Sequence, residues 1–179
     1  MNEQQIITFW FEEITPAQWW QKSDEFDAML KERFSALHQQ AINCELSQWR
    51  NTSLGRLAEI IVIDQFSRNI YRDTPQAFIH DPLALALAQE AVSSKADDDL
   101  SEPQRNFLYM PFMHSESLAI HQQAQSLFEN KASKHTYEFE LKHLAIIQRF
   151  GRYPHRNDIL QRHSTEEERA FLTQPNSGF

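Results

Sequence analysis

Apolar residues recur along this chain at steps of three and four, the spacing that lays one stripe along a helix. Phe26, Met29, Leu30, Phe34, Leu37 and Ala41 follow it over about five turns. A second stripe, Leu57, Ile60, Ile61, Asp64 and Arg68, lies in a helix predicted from Leu54 to about Tyr71. Cap and proline signals punctuate the rest. Asn2 can cap a first helix through Glu13, and Thr15-Pro16 opens a short turn carrying Trp19 and Trp20. Ser23 precedes Asp24 and Glu25, which place negative charge at the start of the Phe26 helix. Ser53 reads as the cap of the Leu54 helix. Thr74-Pro75 and Asp81-Pro82 repeat the cap-plus-proline signal, the second opening a Leu83–Ala91 helix.

Asp97-Asp98-Asp99 reads as a short acidic loop, and Ser101-Glu102-Pro103 starts a helix that Pro111 must bend or end. Helices over roughly 116–130 and 134–150 follow, the latter closed by Gly151 and Pro154. Either hydroxyl of Ser164-Thr165-Glu166-Glu167 can cap a last short helix. Ile60-Ile61-Val62-Ile63 is apolar throughout but sits inside a longer helical pattern, and no segment shows a strand's period of two. The expectation is an all-α single domain over residues 1–179, with eight or nine helices on short loops. Stacked antiparallel helix pairs form either a closed bundle or a superhelical solenoid. No period near 34 residues repeats its residue types, so periodicity leaves both open.

Composition supports the helical reading, because three glycines leave few tight hairpins. Hydrophobic content of 41% is ordinary for a globular chain, and thirteen Phe with four Trp supply large surfaces to bury. Trp10, Trp19, Trp20 and Trp49 fall at helix ends and are assigned to the core. A net charge of −8 argues against nucleic acid as a partner, while a local basic cluster can still take a small anion. Cys44 is the single cysteine, which excludes an intrachain disulfide and a multi-cysteine zinc site and fits a reducing compartment. No basic leader and no apolar run of about 20 residues is present, so a cytoplasmic protein with no membrane partner is expected. Oligomeric state is not legible.

Three segments carry candidate chemistry. Asp64, inside an apolar stripe, needs buried partners, and Arg68 is one turn away in the orientation that favours a pair. Either this is a structural ion pair, or Asp64 orients Arg68 and Asn69 towards a ligand. His114, Ser115 and Glu116 lie at a helix junction. They either satisfy helix-end amides, or His114 and Glu116 work as an acid–base pair. Metal spacing is unpersuasive there, with no His-Glu-x-x-His. The third segment, residues 149–157, is the most basic of the chain, and Phe150, Tyr153 and Pro154 give it something to bury. Guanidinium forks on such a bend suit a carboxylate or phosphate, so Arg152, His155, Arg156 and Asn157 are candidate ligand-binding residues. His143 shares an inward face with Ile146, Ile147 and Phe150, whereas Arg149 falls on the other side. Phosphate loops, nucleophile elbows and dinucleotide fingerprints are absent, and no cofactor or metal is implied.

Asp64-Gln-Phe-Ser-Arg-Asn-Ile-Tyr-Arg72, Phe107-Leu-Tyr-Met-Pro-Phe-Met-His-Ser-Glu116 and Arg149-Phe-Gly-Arg-Tyr-Pro-His-Arg-Asn157 resemble the signature of a bacterial family, the domain of unknown function numbered nine hundred and twenty-four. Phe9-Trp-Phe11 and Ser164-Thr-Glu-Glu167 match as well, so the likeness covers essentially the whole chain. The resemblance implies a tetratricopeptide-like right-handed superhelix of stacked helix pairs, and it implies no activity, substrate or catalytic residue. Two positions depart from it: Ser67 and Cys44 stand where a proline and a glycine are expected.

Three functions follow from the residues. The first is a site for a small carboxylate- or phosphate-bearing metabolite, lined by Arg68, Asn69, His114, Glu116, His143, Arg152, His155 and Arg156, with His114 and Glu116 handling protons. The second is a peptide-binding module using the same arginines. The third is a structural polar network with no ligand.

Overall fold

Side-chain caps set most of the helix starts, as the sequence suggests. Asn2 and Gln5 form a reciprocal capping box, and Ser23 and Ser133 each accept the backbone N–H three residues on. The computed structural model describes residues 1–175, 177 and 178. Among these the protein has nine α-helices and no strand: α1 Glu3–Thr8, α2 Pro16–Trp20, α3 Asp24–Ile42, α4 Ser53–Ile70, α5 Asp81–Ser93, α6 Glu102–Met113, α7 Leu118–Lys131, α8 Lys134–Phe150 and α9 Glu166–Leu172. From α4 to α8, each helix packs on the one before it.

Helix α4 is the hub, touching α1, α3, α5 and α6. A helix surrounded in this way buries residues on every side, which is why Ile60, Ile61, Val62 and Ile63 are all buried without forming a strand. Phe9, just after α1, meets Phe34 of α3 and Phe66 of α4 in tilted and edge-on contacts, with ring centroids 4.7 to 6.1 Å apart.

Several elements differ locally from the sequence reading. The first helix does reach Glu13, but Phe9–Glu13 is a π turn. Thr52, not Ser53, caps α4, accepting from the Gly55 N–H at 3.0 Å; Ser53 donates to Asp99 instead. Pro111 neither ends nor breaks α6, which closes two residues later at Met113. The acidic loop is a 3-10 turn, Ala96–Asp99, in which buried Asp97 accepts from the Tyr109 hydroxyl at 2.6 Å and from Lys131 at 2.7 Å. Trp20 is not a core residue: it is 65% exposed, its ring stacked on Phe107. Cys44 has φ +60°, a conformation glycine adopts without strain, so the position keeps the backbone of a glycine with a thiol side chain. Ser67 donates back to the Ile63 carbonyl at 2.6 Å and also contacts the His38 ring at 2.7 Å.

Candidate functional site

Asp64 anchors the polar centre from the buried side of α4. Its carboxylate is 1% exposed and meets three partners: the Gln65 amide at 2.6 Å, His114 Nδ1 at 2.8 Å and the Arg68 guanidinium at 3.2 Å. Burial alone would raise its pKa, but Arg68 and His114 outweigh that and hold it far below the usual carboxylate range. An ionised Asp64 only accepts, so His114 must donate from Nδ1. The other ring nitrogen, Nε2, then carries a lone pair. It has no hydrogen-bond partner among the described residues, and the His114 side chain is 16% exposed. Burial and the charge of Arg68 lower the His114 pKa, so the ring is neutral near pH 7.

Arg68 reaches outward from the same helix turn to Asp81, the first residue of α5. Nη1 lies 3.0 Å from Oδ1 and Nη2 lies 3.1 Å from Oδ2. Arg156, from the 3-10 turn Pro154–Arg156, adds Nη1 at 3.2 Å from Oδ2 and donates Nη2 to the His114 carbonyl at 3.1 Å. Its guanidinium lies between the Phe78 and Tyr153 rings, 4.6 and 4.7 Å from their centroids. Its Nε–H is buried with no acceptor among the described residues. Two carboxylates, two guanidiniums and one neutral imidazole therefore meet where α4, the end of α6, the start of α5 and the 154–156 turn converge.

The other candidate residues are placed differently. Glu116 is not the partner of His114: it accepts the Tyr153 N–H at 2.7 Å and is gripped by both Arg162 terminal nitrogens at 2.6 and 2.9 Å. That grip keeps its pKa low and its charge neutralised. Arg152 pairs with Glu168 of α9 at 2.6 and 2.8 Å, and exposed Arg149 pairs with Glu167. Asn157 is fully buried and ties Arg162 to Ser164. The Ser115 hydroxyl accepts the Ser117 N–H, and its carbonyl accepts from His121. His143 donates Nδ1–H to the Phe139 carbonyl at 2.8 Å, and burial drives its pKa down to about 3. His155 packs against the Tyr153 ring, with a pKa lowered to about 4 by burial and Arg156.

Asn69 turns away from Arg68. It bonds the Gln65 carbonyl and Arg72, and lines a cleft of about 270 Å³ with Lys22, Asp27 and Lys31. A second cleft of about 350 Å³ lies among Val92, Phe112, Leu127 and Lys131. Neither is lined by Arg68, His114 or Arg156. The structure thus brings Asp64, Arg68, His114 and Arg156 together and separates Asn69, Arg152 and Asn157 from them.

Asp81, Phe78, Gln65, Arg162 and the buried His121–Glu140 pair at 2.6 Å are residues that sequence reasoning missed. Asp81 was hidden by its own signal, an aspartate before a proline, which reads as a helix cap. His121 also reaches the Tyr153 hydroxyl at 3.3 Å, and that hydroxyl donates to the Met113 carbonyl, so the pair braces the ring beneath Arg156. Among the described residues no three His, Cys, Asp or Glu side chains are arranged to hold a metal ion, and no helix is long and apolar enough to cross a membrane.

An all-helical protein with a charged cluster at the junction of its central helices is the class these features define. The chain belongs to the family of bacterial proteins of unknown function DUF924, which matches over residues 6–176. It is similar to a solved structure from Agrobacterium tumefaciens, itself described as a protein of unknown function. The two are 37% identical, with 95% of this chain and 96% of that one covered and a TM-score of 0.89. No curated protein matches the chain.

Proposed function

We propose that Arg68, His114 and Arg156 form a binding site for a small carboxylate- or phosphate-bearing metabolite, at which His114 transfers a proton. The observation that carries this reading is the state of His114. Asp64 fixes it as the Nδ1–H tautomer, and Nε2 is left as a lone pair with no hydrogen-bond partner among the described residues, on a side chain 16% exposed. One nitrogen is held and the other is available as a general base, with Asp64 placed to stabilise the imidazolium that results. The adjacent guanidiniums supply charge for an anion. Glu116, neutralised by Arg162, has a positioning role through Tyr153 and no part in the proton transfer. A cytoplasmic setting, in keeping with the single exposed Cys44, and tetratricopeptide-like stacking of the helix pairs belong to the same proposal.

The structural alternative has its own support, because the four charges cancel and each carboxylate is already gripped. Calorimetric titration with sodium phosphate and with succinate, at fixed ionic strength, separates the two. Binding to the wild type, lost in Arg156→Gln, is expected, together with a thermal midpoint that rises with ligand concentration. Absence of heat and of any shift at tens of millimolar of either anion would leave the network without a ligand.

A further inference from the structure

Asp81 sits where a ligand's anionic group would go. Both guanidiniums converge on it, Arg68 through two parallel contacts of 3.0 and 3.1 Å and Arg156 through one of 3.2 Å. It is the outer of the two carboxylates, 14% exposed where Asp64 is 1% exposed. The chain also forgoes something to put it there. An Asp-Pro pair suits a cap followed by the first helical residue, yet α5 starts one residue early, with Asp81 already helical and Pro82 second. The cap position is left to His80, which makes no side-chain cap bond. The carboxylate that could serve the helix end is given to the arginines instead.

We propose that Asp81 is an internal stand-in for the carboxylate of the ligand, and that it makes the site selective for carboxylic acids over phosphates. This rests on reading the cluster as an anion site. A carboxylate that displaces Asp81 is planar, carries a single charge and meets the same fork of donors, so the charge balance around Arg68 and Arg156 is unchanged. A phosphate dianion brings a second negative charge close to Asp64, which stays against Arg68. Asp81 thus sets a threshold that a weak or badly shaped anion does not pass.

The test compares wild type, Asp81→Ala and Asp81→Asn by titration with acetate, succinate and inorganic phosphate at fixed ionic strength. Asp81→Ala should bind acetate and succinate about tenfold more tightly than wild type, with a smaller gain for phosphate. Acetate should also restore the thermal midpoint that this variant loses. Asp81→Asn, whose amide oxygen still accepts from one guanidinium, should show an intermediate gain; it serves if the alanine variant does not fold. Wild-type binding with no gain in either variant overturns the role of Asp81 and leaves the anion site standing. A gain for phosphate as large as for the carboxylates overturns the selectivity. No response of any of the three proteins to any anion overturns the site and this inference together.

Discussion

Replacing Asp64 by Asn takes away the charge on which the cluster is built while keeping its shape. The side chain is 1% exposed and has no water to fall back on. In the variant Arg68 keeps Asp81 at 3.0 Å, so it is not stranded, but His114 loses its ionic acceptor. The new amide nitrogen would face the Gln65 amide across a gap that is now 2.6 Å, two donors opposed, and Gln65 must turn to relieve this. Removing one partner of a buried pair costs about 3–5 kcal/mol, and the surviving Asp81 contact places this case near 3 kcal/mol. For a chain of this size that is a fall in thermal midpoint of roughly 10 °C. Urea unfolding followed by tryptophan fluorescence measures it directly. The pH dependence has a definite sign. The folded-state pKa of Asp64 is depressed, so its contribution is full above the unfolded value of about 3.9 and is lost as pH falls below it. The gap between wild type and variant should therefore be constant near neutrality and narrow in acid. A loss under about 1 kcal/mol at pH 7, or a gap that widens as the pH drops, refutes the reasoning.

Other substitutions test other parts of the account. Gly55→Ala should cost about 3 kcal/mol, because an added Cβ would lie 2.0 Å from the Trp49 carbonyl oxygen. Gly151→Ala should cost only about 1 kcal/mol, since φ is +67° but no atom stands within 4 Å of the added carbon; the reverse ranking in urea midpoints would contradict both. Glu168, held down to about 2 by Arg152, stabilises the fold above its unfolded value of about 4.3 and loses that contribution as pH falls through 2. Glu168→Gln should accordingly flatten the acid limb of the stability curve, and an unchanged limb would sink this assignment. His38, buried with a pKa lowered to about 4, stays neutral while the unfolded chain takes up a proton near 6.5. Stability should fall as pH drops from 6.5 towards 4, and His38→Gln should lessen that slope.

The helices are legible in the sequence because what specifies them is local. Stripe spacing and caps act within a few residues, so the differences are local: Thr52 for Ser53 at a cap, and the short turns Phe9–Glu13 and Ala96–Asp99. The Asp64–Arg68 pair is legible for the same reason, being one turn apart on one helix. The rest of the cluster is not. His114 and Asp64 are 50 residues apart, and Arg156 and Asp81 are 75 apart, so only the packing of α4, α5, the end of α6 and the 154–156 turn joins them. Residues 149–157 show the limit plainly. Composition groups three arginines, but Gly151 in the left-handed conformation and the following 3-10 turn send them to different acids: Arg149 to Glu167, Arg152 to Glu168 and Arg156 to Asp81. Phe78, the face beneath Arg68 and Arg156, has no sequence signal, because an aromatic residue after a turn is ordinarily core.

The state of His114 tests the account most directly. Long-range proton–nitrogen correlation NMR reads the tautomer and charge of each imidazole, with the His114 signals identified by their loss in His114→Gln. At pH 7 the ring should be neutral and protonated on Nδ1, and succinate should move the Nε2 signal towards its protonated position, because an anion between the arginines favours the imidazolium. A proton on Nε2, or an imidazole that ignores succinate and phosphate alike, would contradict the proposed site.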